Sequence, residues 1–157
     1  MLSPTKPIDP YQHLYARDHL QRADEFLQAF KALPEGVPPS WPRYFLLCHA
    51  IELALKAYLL SRNWTKAKLK TIRYRHDLKA LLREATNEEL QLSASVAADI
   101  EALNEAHQNF WPRYPMEESK PVFIIDPFES AATELIQTLA VSLHVSFARR
   151  VQRPRTM

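Results

Sequence analysis

HAIELALKAYLL, residues 49–60, is apolar nearly all the way round, yet it carries His49, Glu52 and Lys56. At roughly 100° per residue on an α-helix the three fall at about 0°, −60° and −20°, so they form one stripe. Leu, Ile, Ala and Tyr take the other faces, and a helix apolar on every other side belongs at the centre of its bundle. The uninterrupted apolar run falls well short of about 18 residues, so the stretch is read as a core helix rather than a membrane span. A lone buried charge is costly, so Glu52 and Lys56, at i and i+4, are read as a pair. Two readings of the stripe stay open. It is either a solvated face, with Lys56 carrying its ammonium out to water, or the lining of a crevice or subunit interface.

Working outward, the pattern on both sides is also helical. A first helix is expected over 11–33, where Ala16, Leu20, Ala23, Leu27 and Phe30 repeat by four and three. LPEGVPPSWP, 33–42, stops it; Ser40 caps the next helix and Pro42 sits in its first turn. That second helix covers 42–62. RNWTKAKLKTIRYRHDL, 62–78, follows as a basic connector with a short helix after Thr65. The third helix starts near Asp77 and buries Leu78, Leu81 and Leu82. TNEE, 86–89, reads as a capping box opening a fourth helix that runs to Phe110 on Leu92, Val96, Ile100 and Leu103. WPRYP, 111–115, breaks it. DPFE, 126–129, reads as a start signal, with Asp126 as cap and Pro127 at the first helical position; the fifth helix runs to about Arg150. PVFIID, 121–126, is a candidate short strand with no evident partner.

Composition closes off several function classes. A chain of 157 residues fits one domain. It divides into a loose arm over 1–10, a helical domain over 11–150 and a basic tail over 151–157. One glycine and twelve prolines argue against a hairpin-rich fold and leave no glycine-rich phosphate loop. Cys48 is the one cysteine, so there is neither a disulfide framework nor a cysteine-rich zinc site. The proline-rich start MLSPTKPIDP has no apolar signal segment, and a cytoplasmic location is expected. The net charge of +2 hides an asymmetry: the last nine residues hold Arg149, Arg150, Arg153 and Arg155 and no acid. The rest carries 16 basic and 18 acidic residues, a balance of −2, so any polyanion-binding surface has to be local. The tail arginines suit the carboxyl end of the last helix.

HAIELALKAYLL followed by RHDLKALLREA, 75–85, with Leu103-Asn104 and Arg113-Tyr114-Pro115 further on, resembles the HEPN family of small helical-bundle domains. The likeness spans roughly 43–115. It departs from the family at Arg75, which stands where glycine usually precedes His-Asp-Leu; a positive φ there would be awkward for arginine. The resemblance implies an all-α, largely up-and-down bundle of four to five helices, often a homodimer, that handles RNA or nucleotides. Family members serve in defence or toxin–antitoxin systems, some beside a nucleotidyltransferase or antitoxin partner. Many are metal-independent endoribonucleases whose signature is an arginine followed four to six residues later by a histidine, usually late in the bundle. Only Arg43 with His49 has that spacing here, at the start of the second helix and about 120° apart on it.

The expectation is therefore binding of RNA or nucleotides, with Arg43 and His49 as catalytic candidates and two alternatives: an endoribonuclease, or a non-catalytic dimerisation module. The binding candidates are Lys56, Arg62, Lys66, Lys70, Arg73, Arg75, His76, Arg113 and Tyr114. Between Glu52 and Asp77 there is no acid, and Trp64 and Tyr74 are interleaved as possible stacking partners for bases. Arg113 offers a fork for phosphate oxygens, or else locks its loop. His76 and Asp77 either open the third helix or, in the functional reading, set His76 beside Glu52 and Lys56. No His-x-x-x-His or Glu-x-x-His spacing occurs, so no metal and no cofactor is expected. His13, His19, His107 and His144 look like scattered surface or core residues.

Overall fold

The computed structural model describes residues 10–34, 41–109 and 125–147, and all the regular structure among them is helical. In chain order the helices are α1 (Pro10–Ala32), α2 (Trp41–Ser61), α3 (Lys66–Leu69), α4 (Leu78–Asn87), α5 (Ala94–Asn109) and α6 (Glu129–Ser142). A 3₁₀ turn, Asp126–Phe128, leads into α6. Ser40, the start of the PVFIID stretch, Arg113, Tyr114 and the tail arginines lie outside the described residues.

α2 is the hub, packing on α1, α4, α5 and α6. By length and composition its stretch Pro42–Ser61 could cross a membrane, but 67% of that window is buried by the other helices. Ile51 and Leu55 are fully buried, as are Leu20 and Phe30 of α1, Leu81 of α4, Ile100 and Leu103 of α5, and Leu135 of α6. The apolar positions that the helical period picks out thus meet in one core. Cys48 sits inside it, and burial pushes its thiol up to about 12, which leaves it protonated and unreactive at neutral pH.

Helix ends show how a chain with one glycine turns corners. α2, α4 and α6 each stop at a residue with positive φ: Asn63, Glu89 and His144. In each case the next amide reaches back across the last turn, Trp64 to the Leu59 carbonyl, Leu90 to Ala85 and Val145 to Ala140. These are Schellman closures with a side chain where glycine is usual. Arg75 is not among the positive-φ residues, so the turn before α4 does not need the glycine that the resemblance led one to expect there.

Two expected starts are corrected. TNEE does not open a helix: Thr86 lies in the last turn of α4, its hydroxyl donates to the Leu82 carbonyl, and Glu89 is the left-handed residue that ends the helix. Ser93 is the cap of the following helix, with its Oγ accepting from the Val96 amide at 3.4 Å. At DPFE, Pro127 sits in the first turn as expected, but Asp126 makes no cap bond and turns to Arg43. The last helix ends at Ser142, well short of Arg150. Two other expected helix starts are found. Asp77 Oδ1 accepts from the Ala80 amide at 2.9 Å, and Thr65 caps the short α3.

Candidate functional site

The stripe on α2 is neither a solvated face nor bare. Glu52 is 2% exposed, and four cationic or imidazole groups converge on its carboxylate. Lys56, one turn on, donates from Nζ to Oε1 at 2.6 Å. His76 Nδ1, from the loop capped into α4 by Asp77, lies 3.2 Å from Oε2. His107 Nε2, from α5, lies 3.5 Å from the same oxygen. His49 Nδ1, one turn back, is the loosest at 3.8 Å.

Each partner is fixed by its own element. The His49 ring is gripped edge-on by Phe26 of α1, with centroids 4.6 Å apart, and stacks on Phe45. Lys56 also donates to the Arg75 carbonyl at 2.8 Å, which ties the end of the basic connector to α2. His107 follows Asn104 by three residues, and both are buried on the inner face of α5. The His76 and His107 rings stand edge to face, 6.2 Å apart. Burial alone would raise the Glu52 carboxyl. The contacts from His107 and His49 and the charge of Lys56 outweigh it and hold the group well below the usual carboxylate range. A buried carboxylate in this setting stays ionised at neutral pH. The His76 side chain, 41% exposed, and the His49 side chain, 25% exposed, are the members that bring the cluster most to solvent.

Arg43 and His49 face different partners. The Arg43 guanidinium is buried, forms an ion pair with Asp126 Oδ1 at 2.8 Å and lies over the Phe30 ring at 4.3 Å. It staples the start of α2 to the turn before α6, whereas His49 faces Glu52. A guanidinium held by a carboxylate and an aromatic face has little left to offer a phosphate.

Along the connector, Trp64 and Tyr74 are buried and pack edge to face on each other at 5.2 Å, so they are core rather than stacking platforms. Trp64 Nε1 donates to Glu88, and the Tyr74 hydroxyl reaches Glu84. Arg62 faces Glu88 and Glu89, and Arg73 lies 4.0 Å from Glu84. Lys66 caps the Tyr15 ring at 3.3 Å and Lys68 the Trp64 ring at 3.6 Å. Lys70 and Arg75 are exposed. Of the candidate residues, the structure therefore gathers His49, Glu52, Lys56 and His76 at one point, with Arg75 tethered beside them by its backbone. It leaves Arg43 apart. Arg113 and Tyr114 fall outside the described residues.

One member of the cluster escaped the reading by sequence. His107 is separated from Glu52 by 55 positions, so no spacing rule joins them. The available signal was its place three residues after Asn104 on the face that also carries Ile100 and Leu103. With His107 included, Glu52, His76 and His107 each offer one donor atom, and the three lie within 4.8 Å of one another.

The fold and the ordered motifs agree with a family comparison. The HEPN domain model matches residues 16–141, and the chain belongs to that family. No curated protein and no solved structure is found to match it.

Proposed function

We propose that this HEPN domain binds RNA or nucleotides through the phosphates, along the connector between α2 and α4. The observation that carries the reading is the run of exposed cations Lys66, Lys68, Lys70 and Arg75 in a segment without an acid, anchored to the polar cluster by the Lys56 bond to the Arg75 carbonyl. Arg62 and Arg73 contribute less, because Glu84, Glu88 and Glu89 already face them. With Trp64 and Tyr74 buried, the connector's own aromatics give bases no platform, so recognition is electrostatic and tolerant of sequence. The setting this reading expects is a cytoplasmic homodimer in a defence or toxin–antitoxin system, beside a nucleotidyltransferase or antitoxin partner.

Fluorescence anisotropy with labelled single-stranded RNA, titrated across salt, tests it. Lys70→Gln and Arg75→Gln should each weaken binding about equally on unrelated sequences. Each should also flatten the log–log salt slope by roughly 0.7. Binding that ignores salt, or that is unchanged in both variants, sinks the reading. The endoribonuclease alternative draws on one observation, the imidazole of His76, oriented by Glu52 at a solvent-facing edge. Its test is metal-free cleavage in chelator that disappears in His76→Ala or His49→Ala while binding persists. If neither binding nor cleavage is seen, the assembly-module reading is what stands.

A further inference from the structure

The Glu52 cluster has a geometry that ion pairing does not require. Glu52 Oε2 stands 3.2 Å from His76 Nδ1 and 3.5 Å from His107 Nε2, with His49 Nδ1 at 3.8 Å. Donors around a tetrahedral ion bound at about 2.0–2.1 Å are separated by roughly 3.3–3.4 Å. Two edges of such a tetrahedron are therefore already formed at one oxygen. The third, between the two imidazoles, is no longer than 4.8 Å and closes with a small rotation of the half-exposed His76.

We propose that Glu52 Oε2, His76 Nδ1 and His107 Nε2 form a site for a zinc-class divalent ion. One carboxylate and two imidazoles are the donor set that zinc and its neighbours take, and three protein ligands leave a fourth position toward His49. The supporting shell is in place. Glu52 is oriented through its other oxygen by Lys56, and Lys56 is held by the Arg75 carbonyl. His76, at the surface, gives the ion a way in. The ligands come from α2, from the loop before α4 and from α5, so a bound ion would clamp that loop and α5 to the hub helix. That origin is also why the sequence shows no metal-binding spacing. Lys56 opposes the ion as a neighbouring cation, so the site binds more weakly than the same donors would alone.

The test uses the full chain, dialysed against chelator and then against buffer, and titrated with Zn²⁺ by calorimetry. Co²⁺ absorption serves as a geometric readout. One ion per chain and an intense tetrahedral Co²⁺ spectrum are expected. His76→Ala and His107→Ala should each lose more than about 100-fold in affinity, beyond the cost of removing a supporting residue. His107→Ala risks misfolding, but His76→Ala replaces a half-exposed loop side chain and keeps the helical circular dichroism against which it is judged. The proposal is overturned by a folded wild-type chain that binds no Zn²⁺, by a weak octahedral Co²⁺ spectrum, or by affinity indifferent to His76→Ala.

Discussion

Glu52 and Lys56 are not equal partners, and the difference can be measured. Glu52 is 2% exposed and receives Lys56, His76 and His107, with His49 beyond them; the Lys56 side chain is 13% exposed and holds Glu52 and one carbonyl. Glu52→Gln keeps the shape but removes the charge. The ammonium of Lys56 is then left largely buried against a neutral amide. Removing one partner of a buried pair costs about 3–5 kcal/mol, and the remaining route of Lys56 to water puts Glu52→Gln at the lower end, about 3 kcal/mol. For a chain of this size that lowers Tm by about 6–12 °C. Lys56→Met leaves the Glu52 carboxylate still faced by three imidazoles, at 3.2, 3.5 and 3.8 Å. Its cost should be nearer 1 kcal/mol. The double variant should cost less than the sum of the two, because the second change removes the group the first had stranded. Urea melts of the three variants in chelator, with m-values matching wild type, read these differences directly. If Glu52→Gln and Lys56→Met both fall within about 0.5 kcal/mol of wild type, the cluster is not the buried, interdependent site its geometry implies.

Three further outcomes follow from the same structure. Because the Glu52 carboxyl is held below its ordinary value of 4.5, it contributes stability above that pH and loses it as the pH falls further. Metal-free wild type should therefore lose Tm steeply below about pH 4.5, and Glu52→Gln should lose visibly less over the same range, while equal slopes would contradict the assignment. Glu89→Gly should stabilise the fold by about 0.5–1 kcal/mol, since it relieves a left-handed residue and loses only an exposed ion pair to Arg62. Asn63→Gly, at a residue that tolerates this conformation, should gain less, and a Glu89→Gly variant that melts below wild type would count against the strain argument. Asp126→Asn strands the buried Arg43 guanidinium and should cost about 2 kcal/mol in a urea melt, with no change in RNA affinity if Arg43 is structural; a loss of RNA binding in the folded variant would restore Arg43 to the site.

What could be read from the sequence was whatever depends on neighbours along a helix. The core face of α1, the centrality of α2 and the pairing of Glu52 with Lys56 are all set by the 3.6-residue period. That information is complete within one or two turns. Asp77 was legible for the same reason, since a cap bond spans three residues. TNEE failed at this scale because its pattern is not specific to a helix start. A threonine near the end of a helix can bond the carbonyl four residues back, and the chain needed a left-handed residue at Glu89 to close α4. Ser93, immediately before a helical apolar run, was the better signal.

The stacking role read for Trp64 and Tyr74 failed for a different reason. The connector's charges and aromatics are interleaved in sequence as a stacking surface would be. In space the aromatics face inward to the α4 end, toward Glu84 and Glu88, and the cations cover them from outside. Alternation in a short irregular segment therefore says which residues are amphipathic, but not which side carries the function. The cluster at Glu52 is the extreme case. Its acid lies on the hub helix, one imidazole lies 24 residues on and the other 55, and only the packing of α5 against α2 brings them to one oxygen. The question raised by three ionisable residues in an apolar helix could be put from HAIELALKAYLL alone. Its answer required His107, which carries no mark in the sequence beyond lying on the buried face of its own helix.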